Sequence, residues 1–218
     1  MAQQEQPIEV HDIKKKIAST GIEIGTPVKT KFMSDFITEA GRGGAYKMNL
    51  DITLQRIKTA AKFINRIGPS NVIVCSGRSG KTRVEKLPTS VPIEKFCEMT
   101  GVKKLLGRFM PGTLTNPSLS NYIEPKLVLV SDPQVDDQAI TEATNAGIPI
   151  IGISNTDNVT ARVDVVIPAN NRGRKSLATA YWLLTREILI DNGTLKEGDQ
   201  MKYDITDFET KESDEAIE

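Results

Sequence analysis

From Tyr46 to Gly193 short apolar runs alternate with segments of helical period, and this alternation limits the possible folds more than any other feature. Tyr46–Leu50, Asn71–Cys75, Lys126–Val130, Ile148–Ile153 and Val163–Ile167 read as strands. The run at Ile148–Ile153 is apolar throughout, as in a strand covered on both faces. Asp51 suits the N-cap of a helix in which Ile52, Ile57, Ala60, Ala61 and Ile64 recur at helical spacing, and Gly68-Pro69 stops it. A second helix begins near Pro92 and ends at Gly101, and a third runs from Gln134 to Ala146 before Gly147. A long helix, Ser176–Asp191, is ended by Gly193.

Strands alternating with helices imply βαβ units with right-handed crossovers. The expected fold is therefore α/β, a three-layer flavodoxin-like or Rossmann-like domain with a mostly parallel sheet. The expected boundaries are an N-terminal extension over 1–20, with a short helix at Val10–Ser19, the α/β domain over 21–195, and a tail over 196–218. That tail holds nine acids and three bases with few apolar residues, the composition of a mobile segment.

The formal net charge is zero, but the charge is unevenly spread. Residues 1–126 hold 20 Lys+Arg against 11 Asp+Glu, and residues 127–218 hold 8 against 17. The extreme is 42–108, with 14 bases and 4 acids. Such a split suits a surface for a polyanion. Met1–Ile17 is too polar for a secretory h-region, and no apolar run approaches the roughly 18 residues of a membrane span. A cytoplasmic protein without a membrane partner is expected. Cys75 and Cys97 are the only cysteines, with no metal-ligand spacing around them, and two buried free thiols are expected rather than a disulfide.

One stretch resembles catalytic machinery. Asn71-Val-Ile-Val-Cys-Ser-Gly-Arg-Ser-Gly-Lys-Thr82 runs from a strand into a glycine-rich loop. A phosphate-cradling loop needs GxxxxGK[ST], and here Cys75 occupies the first glycine position. Such a loop also opens directly into a helix, whereas Pro88 stands where that helix interior would be. Nucleotide or phosphate-ligand binding through Gly77–Thr82, with Asp132, is therefore the alternative reading. His11 is the only histidine, no G-x-S-x-G elbow occurs, and Asp132 and Asp157 suit turns and caps. No enzyme activity, cofactor, metal or small-molecule substrate is expected.

The stretch Gly107-Arg-Phe-Met-Pro-Gly-Thr-Leu-Thr-Asn-Pro117 is not explained by composition. It resembles a signature of the small-subunit ribosomal protein S-two family, in its archaeal and eukaryotic branch. The likeness continues through Glu124–Pro133, Asp137–Ala143, Ile148–Ile153, Asn155-Thr-Asp157, Val163–Pro168, Asn170–Gly173 and Tyr181–Leu189. It is weaker over 20–67, where it includes Ile24-Gly-Thr26 and Ala60–Ile64. No counterpart of the bacterial coiled-coil insertion is present, which points to an archaeal protein. The resemblance implies a flavodoxin-like sheet, a structural role in the ribosome, rRNA binding near the head–body junction, and contacts with neighbouring ribosomal proteins. Glu23 stands where the family often has His, and 76–91 is longer than the usual loop.

Lys and Arg against phosphate would carry most of such binding. Arg56, Lys58, Lys62 and Arg66 share one helix, and 58, 62 and 66 are spaced by four and so share a face. Arg172, Arg174 and Lys175 surround Gly173 before a helix start, where cations oppose the helix dipole and call for a compensating anion. Lys103, Lys104 and Arg108 flank the signature, and Arg78, Lys81 and Arg83 lie in the glycine-rich loop. Within the signature, Pro111, Gly112 and Pro117 are expected to set a backbone path. Aromatic residues are only 5% of the chain, so recognition by shape and charge is favoured over base stacking.

Overall fold

The computed structural model describes residues 17, 19–41, 43–77, 90–196, 198–199 and 201–210. After a 3-10 helix at Lys31–Phe36 come strands β1 (Ile37–Ala40) and β2 (Tyr46–Met48), then helix α1 (Leu50–Ile67). Next follow β3 (Val72–Ser76), α2 (Ser90–Thr100), β4 (Lys103–Leu106) and β5 (Leu127–Val130). The remaining elements are α3 (Asp137–Asn145), β6 (Ile150–Ser154), β7 (Val165–Pro168), α4 (Arg174–Asp191) and a short α5 (Ile205–Phe208).

The main sheet has the order β4-β3-β5-β6-β7, and every neighbouring pair is parallel. Valine, isoleucine and leucine predominate in β3, β5 and β6, whose residues are all buried, as a sheet covered on both faces requires. From β3 the chain steps outward through α2 to β4, and from β5 it steps the opposite way through α3 to β6. Crossovers of one hand but opposite direction put their helices on opposite faces. One face accordingly packs Val72, Val74, Leu127, Leu129 and Ile151 against α1, α2, α4 and α5. The other packs Ile73, Cys75, Val128 and Val130 against α3 and Leu114. This is the expected flavodoxin-like arrangement.

Four expectations need correction. Tyr46–Leu50 does not join the parallel sheet: β2 pairs antiparallel with β1 in a separate two-stranded sheet. The α1 N-cap is Asn49, whose side chain accepts from the amides of Asp51 and Ile52, at 2.9 and 3.3 Å. The third helix starts at Asp137, because Asp132 first turns the chain by accepting the Gln134 amide at 3.0 Å. A mobile tail from residue 196 does not hold for residues 201–210. Ile205 and Phe208 are buried there, and the Trp182 indole donates to the Tyr203 carbonyl at 3.0 Å. Burying a side chain the size of Phe208 contributes roughly 1.5–3 kcal/mol, enough to hold a four-residue helix that could not stand alone.

Both cysteines are free. Burial pushes the Cys97 thiol up to about 12, and burial followed by the nearby Asp136 carboxylate pushes Cys75 up as well. Burial thus works against the thiolate form of both sulfurs.

Candidate nucleic-acid interface

The basic residues singled out from the sequence do not form one patch. Lys58, Lys62 and Arg66 lie exposed on α1, because Ile57, Ala60, Ala61 and Ile64 turn the opposite side of the helix into the core. Among the described residues none of these three has an ion-pair partner. Helix α1 runs beside α4 in the same direction: Thr53 Oγ1 donates to the Pro168 carbonyl just before α4, and Asn65 Nδ2 donates to Ile188 O and Asp191 Oδ2 near its end. The α1 row therefore shares its side of the molecule with exposed Arg174 and Lys175 at the α4 N-terminus. Arg56, at the start of α1, lies over the Phe36 ring at 5.7 Å.

Arg172 is differently placed. Its guanidinium donates to Asp157 Oδ2 at 2.5 Å and to Gln134 Oε1 at 3.3 Å. Asp157 thus compensates Arg172, one of the three cations before α4. Lys103 and Lys104 stand on β4, an edge strand of the main sheet, and Lys104 pairs with Glu94 at 3.6 Å. Lysines at that edge also discourage pairing with a second sheet, a role independent of RNA. Arg108 is exposed just beyond β4. Arg78, Lys81 and Arg83 fall outside the described residues.

The signature wraps a carboxylate that sequence reasoning did not single out. Glu142 on α3 is buried, and it accepts from the Gly112 amide at 2.7 Å, the Leu114 amide at 3.1 Å and Gln138 Nε2 at 2.9 Å. Burial alone would raise its pKa, but these donors outweigh that and hold it below the usual value. Gly112 sits at φ 91°, and a Cβ there would lie 2.7 Å from Leu119 Cδ1, so the turn needs glycine. The signature thus sets a backbone path, as expected, and Glu142 anchors it. A glutamate three residues after Ala139 and one before Ala143, on the buried face of a helix, was the available signal.

At the carboxyl ends of the strands, where doubly wound sheets hold ligands, the described residues form an internal polar network. The Gly77 amide, first of the candidate phosphate loop, donates to Asp136 Oδ1 at 2.5 Å. Asn158 donates to Asp132 Oδ1 at 2.9 Å and accepts from the Asn155 amide and from Asn171 Nδ2, at 2.6 and 3.2 Å. A carboxylate at the Gly77 amide would repel the phosphate that such a loop exists to hold.

Residues 118–189 match the family model described as ribosomal protein S2. A protein of Nitrosopumilus maritimus (strain SCM1) named small ribosomal subunit protein uS2 is 68% identical over 213 residues, covering 98% of this chain and 99% of the relative. The chain belongs to the ribosomal protein uS2 family. Relatives of the same name in Cenarchaeum symbiosum (strain A) and Thermofilum pendens (strain DSM 2475 / Hrk 5) are 56% and 44% identical, over 92% and 88% of this chain. They cover 92% and 86% of those relatives' own lengths. The resemblance read from residues 107–190 is thus to the right family and to its archaeal branch. A uS2 chain is a structural protein and not an enzyme. No helix among the described residues is long and apolar enough to cross a membrane.

Proposed function

We propose that this uS2-family chain is a structural constituent of the small ribosomal subunit in the cytoplasm, holding small-subunit rRNA through α1 and the start of α4. Its expected position is near the head–body junction, beside neighbouring ribosomal proteins. The observation that carries the reading is the row Lys58, Lys62, Arg66. Like charges four apart on a helix cost about 0.2–0.5 kcal/mol per pair, and among the described residues no acid forms an ion pair with them. A row kept at that cost is accounted for by a polyanion that meets it. Arg174 and Lys175 add exposed positive charge at the start of the neighbouring helix α4.

The test is binding of the full chain to transcribed small-subunit and large-subunit rRNA at several salt concentrations. The expected result is tighter binding to the small-subunit RNA, with affinity falling steeply and log-linearly as salt rises. Equal affinity for both RNAs, or affinity indifferent to salt, would contradict the proposal.

A further inference from the structure

Residues 24–36 expose apolar surface that the domain does not use: Ile24, Val28 and Phe32 are 51%, 62% and 51% exposed. The strap that carries them is nonetheless tied down. The Thr26 amide donates to Thr156 Oγ1 at 2.9 Å, the Thr30 amide to Thr156 O at 2.9 Å, and Thr30 Oγ1 to Asn158 O at 2.8 Å. Gly25 packs so tightly that a Cβ would lie 2.4 Å from Thr156 Cγ2. Exposure here belongs to an ordered surface, which is when it signals a partner.

Cations accompany the aromatic rings of this region. Lys29 Nζ lies 5.0 Å from the Tyr46 ring centre, Arg56 lies over Phe36, and exposed Phe32 follows Lys31 directly. Glu23 is neutralised by Lys47 at 3.1 Å, which leaves Asp35 as the acid on the strap. Rings accompanied by cations are what unpaired nucleotides need, a face to stack on and a charge for the adjoining phosphate. A protein neighbour could use the apolar side chains, but it gives no reason for the cations beside the rings.

We propose that the strap is a stacking platform for unpaired rRNA nucleotides, with the Phe32 ring taking a base and Lys29, Lys31 and Arg56 meeting neighbouring phosphates. It rests on the rRNA reading of α1, the helix that also carries Arg56. It also adds base stacking to a recognition for which composition favoured shape and charge.

The test compares Phe32→Leu and Phe32→Trp with the parent chain, using transcribed small-subunit rRNA over a range of salt. Stacking releases no counterions, so Phe32→Leu is expected to weaken binding by about 5- to 30-fold at every salt with an unchanged salt slope. Phe32→Trp, which keeps a ring, is expected to bind like the parent. Exposed Phe32 carries little of the fold, so melting curves of both variants should overlay the parent's. Phe32→Leu binding like the parent overturns the platform. If charge reversal on α1 still weakens binding in that case, the rRNA reading stands without it, and if neither change matters both fail. Undiminished rRNA binding with lost entry into small subunits would assign the strap to a protein neighbour and likewise overturn the platform.

Discussion

Replacing Lys58, Lys62 and Arg66 together by glutamate is expected to weaken binding to small-subunit rRNA by roughly 100-fold or more at moderate salt. Each phosphate contact contributes about 0.7–0.9 to the slope of log affinity against log salt, so losing three should flatten it by about 2–3. The three side chains are exposed and point away from Ile57, Ala60 and Ile64, so the helix keeps its core face. Glutamate is a good helix former, and its cost near the α1 C-terminus is limited to about 0.3–1 kcal/mol. Circular dichroism should therefore show a folded protein with a similar melting temperature. Reduced affinity with an unchanged slope would mean that the row meets something other than phosphate. An unchanged affinity would remove α1 from the interface.

Glu142→Ala is expected to cost about 3 kcal/mol, because it leaves the Gly112 and Leu114 amides without their acceptor. For a chain of this length that lowers the melting temperature by about 6–12 °C. Because the folded-state pKa of Glu142 is depressed, its contribution is fully present above the ordinary carboxylate value and is lost as pH falls through the folded value. The stability gap between the parent and Glu142→Ala should therefore be wide at pH 7 and begin to close only as pH falls below the ordinary carboxylate value. Hydrogen exchange supplies the local readout: the Gly112 and Leu114 amides should exchange far faster in the variant. Unchanged protection at those two amides would show that the signature holds its path without the carboxylate.

The alternation that made the fold legible is strongest where strands are buried on both faces. The Asn71–Cys75, Lys126–Val130 and Ile148–Ile153 runs were readable because β3, β5 and β6 lie inside the sheet and carry apolar residues on both sides. Strand β4 escaped for the opposite reason: Lys103 and Lys104 are exposed at an edge, which erases half of the apolar signal. Tyr46 resembled a sheet strand because local propensity does not say which partner a strand will find. Asn49 and Asp51 both suit a cap, and only the geometry of the turn after β2 selects the first. The docking of Tyr203–Phe208 was hidden by the acids around it, since composition over a whole tail outweighs two apolar anchors.

Legibility at the candidate site follows the same division. The α1 row follows from helical spacing alone, which is a local property. The Arg172–Asp157 pair joins residues from separate loops at the end of the sheet, and Glu142 meets a loop that lies some thirty residues earlier in the chain. Those contacts depend on the strand order β4-β3-β5-β6-β7, which no local pattern specifies. Motif resemblance reached the family without reaching these contacts, because a motif preserves residue types and not the partners that hold them.

The most direct test of the central claim is sedimentation of a native cell extract through a sucrose gradient, with each fraction probed for this protein. The account predicts that it migrates with small ribosomal subunits and remains there through a moderate-salt wash. Recovery at the top of the gradient, away from the small subunits, would contradict it.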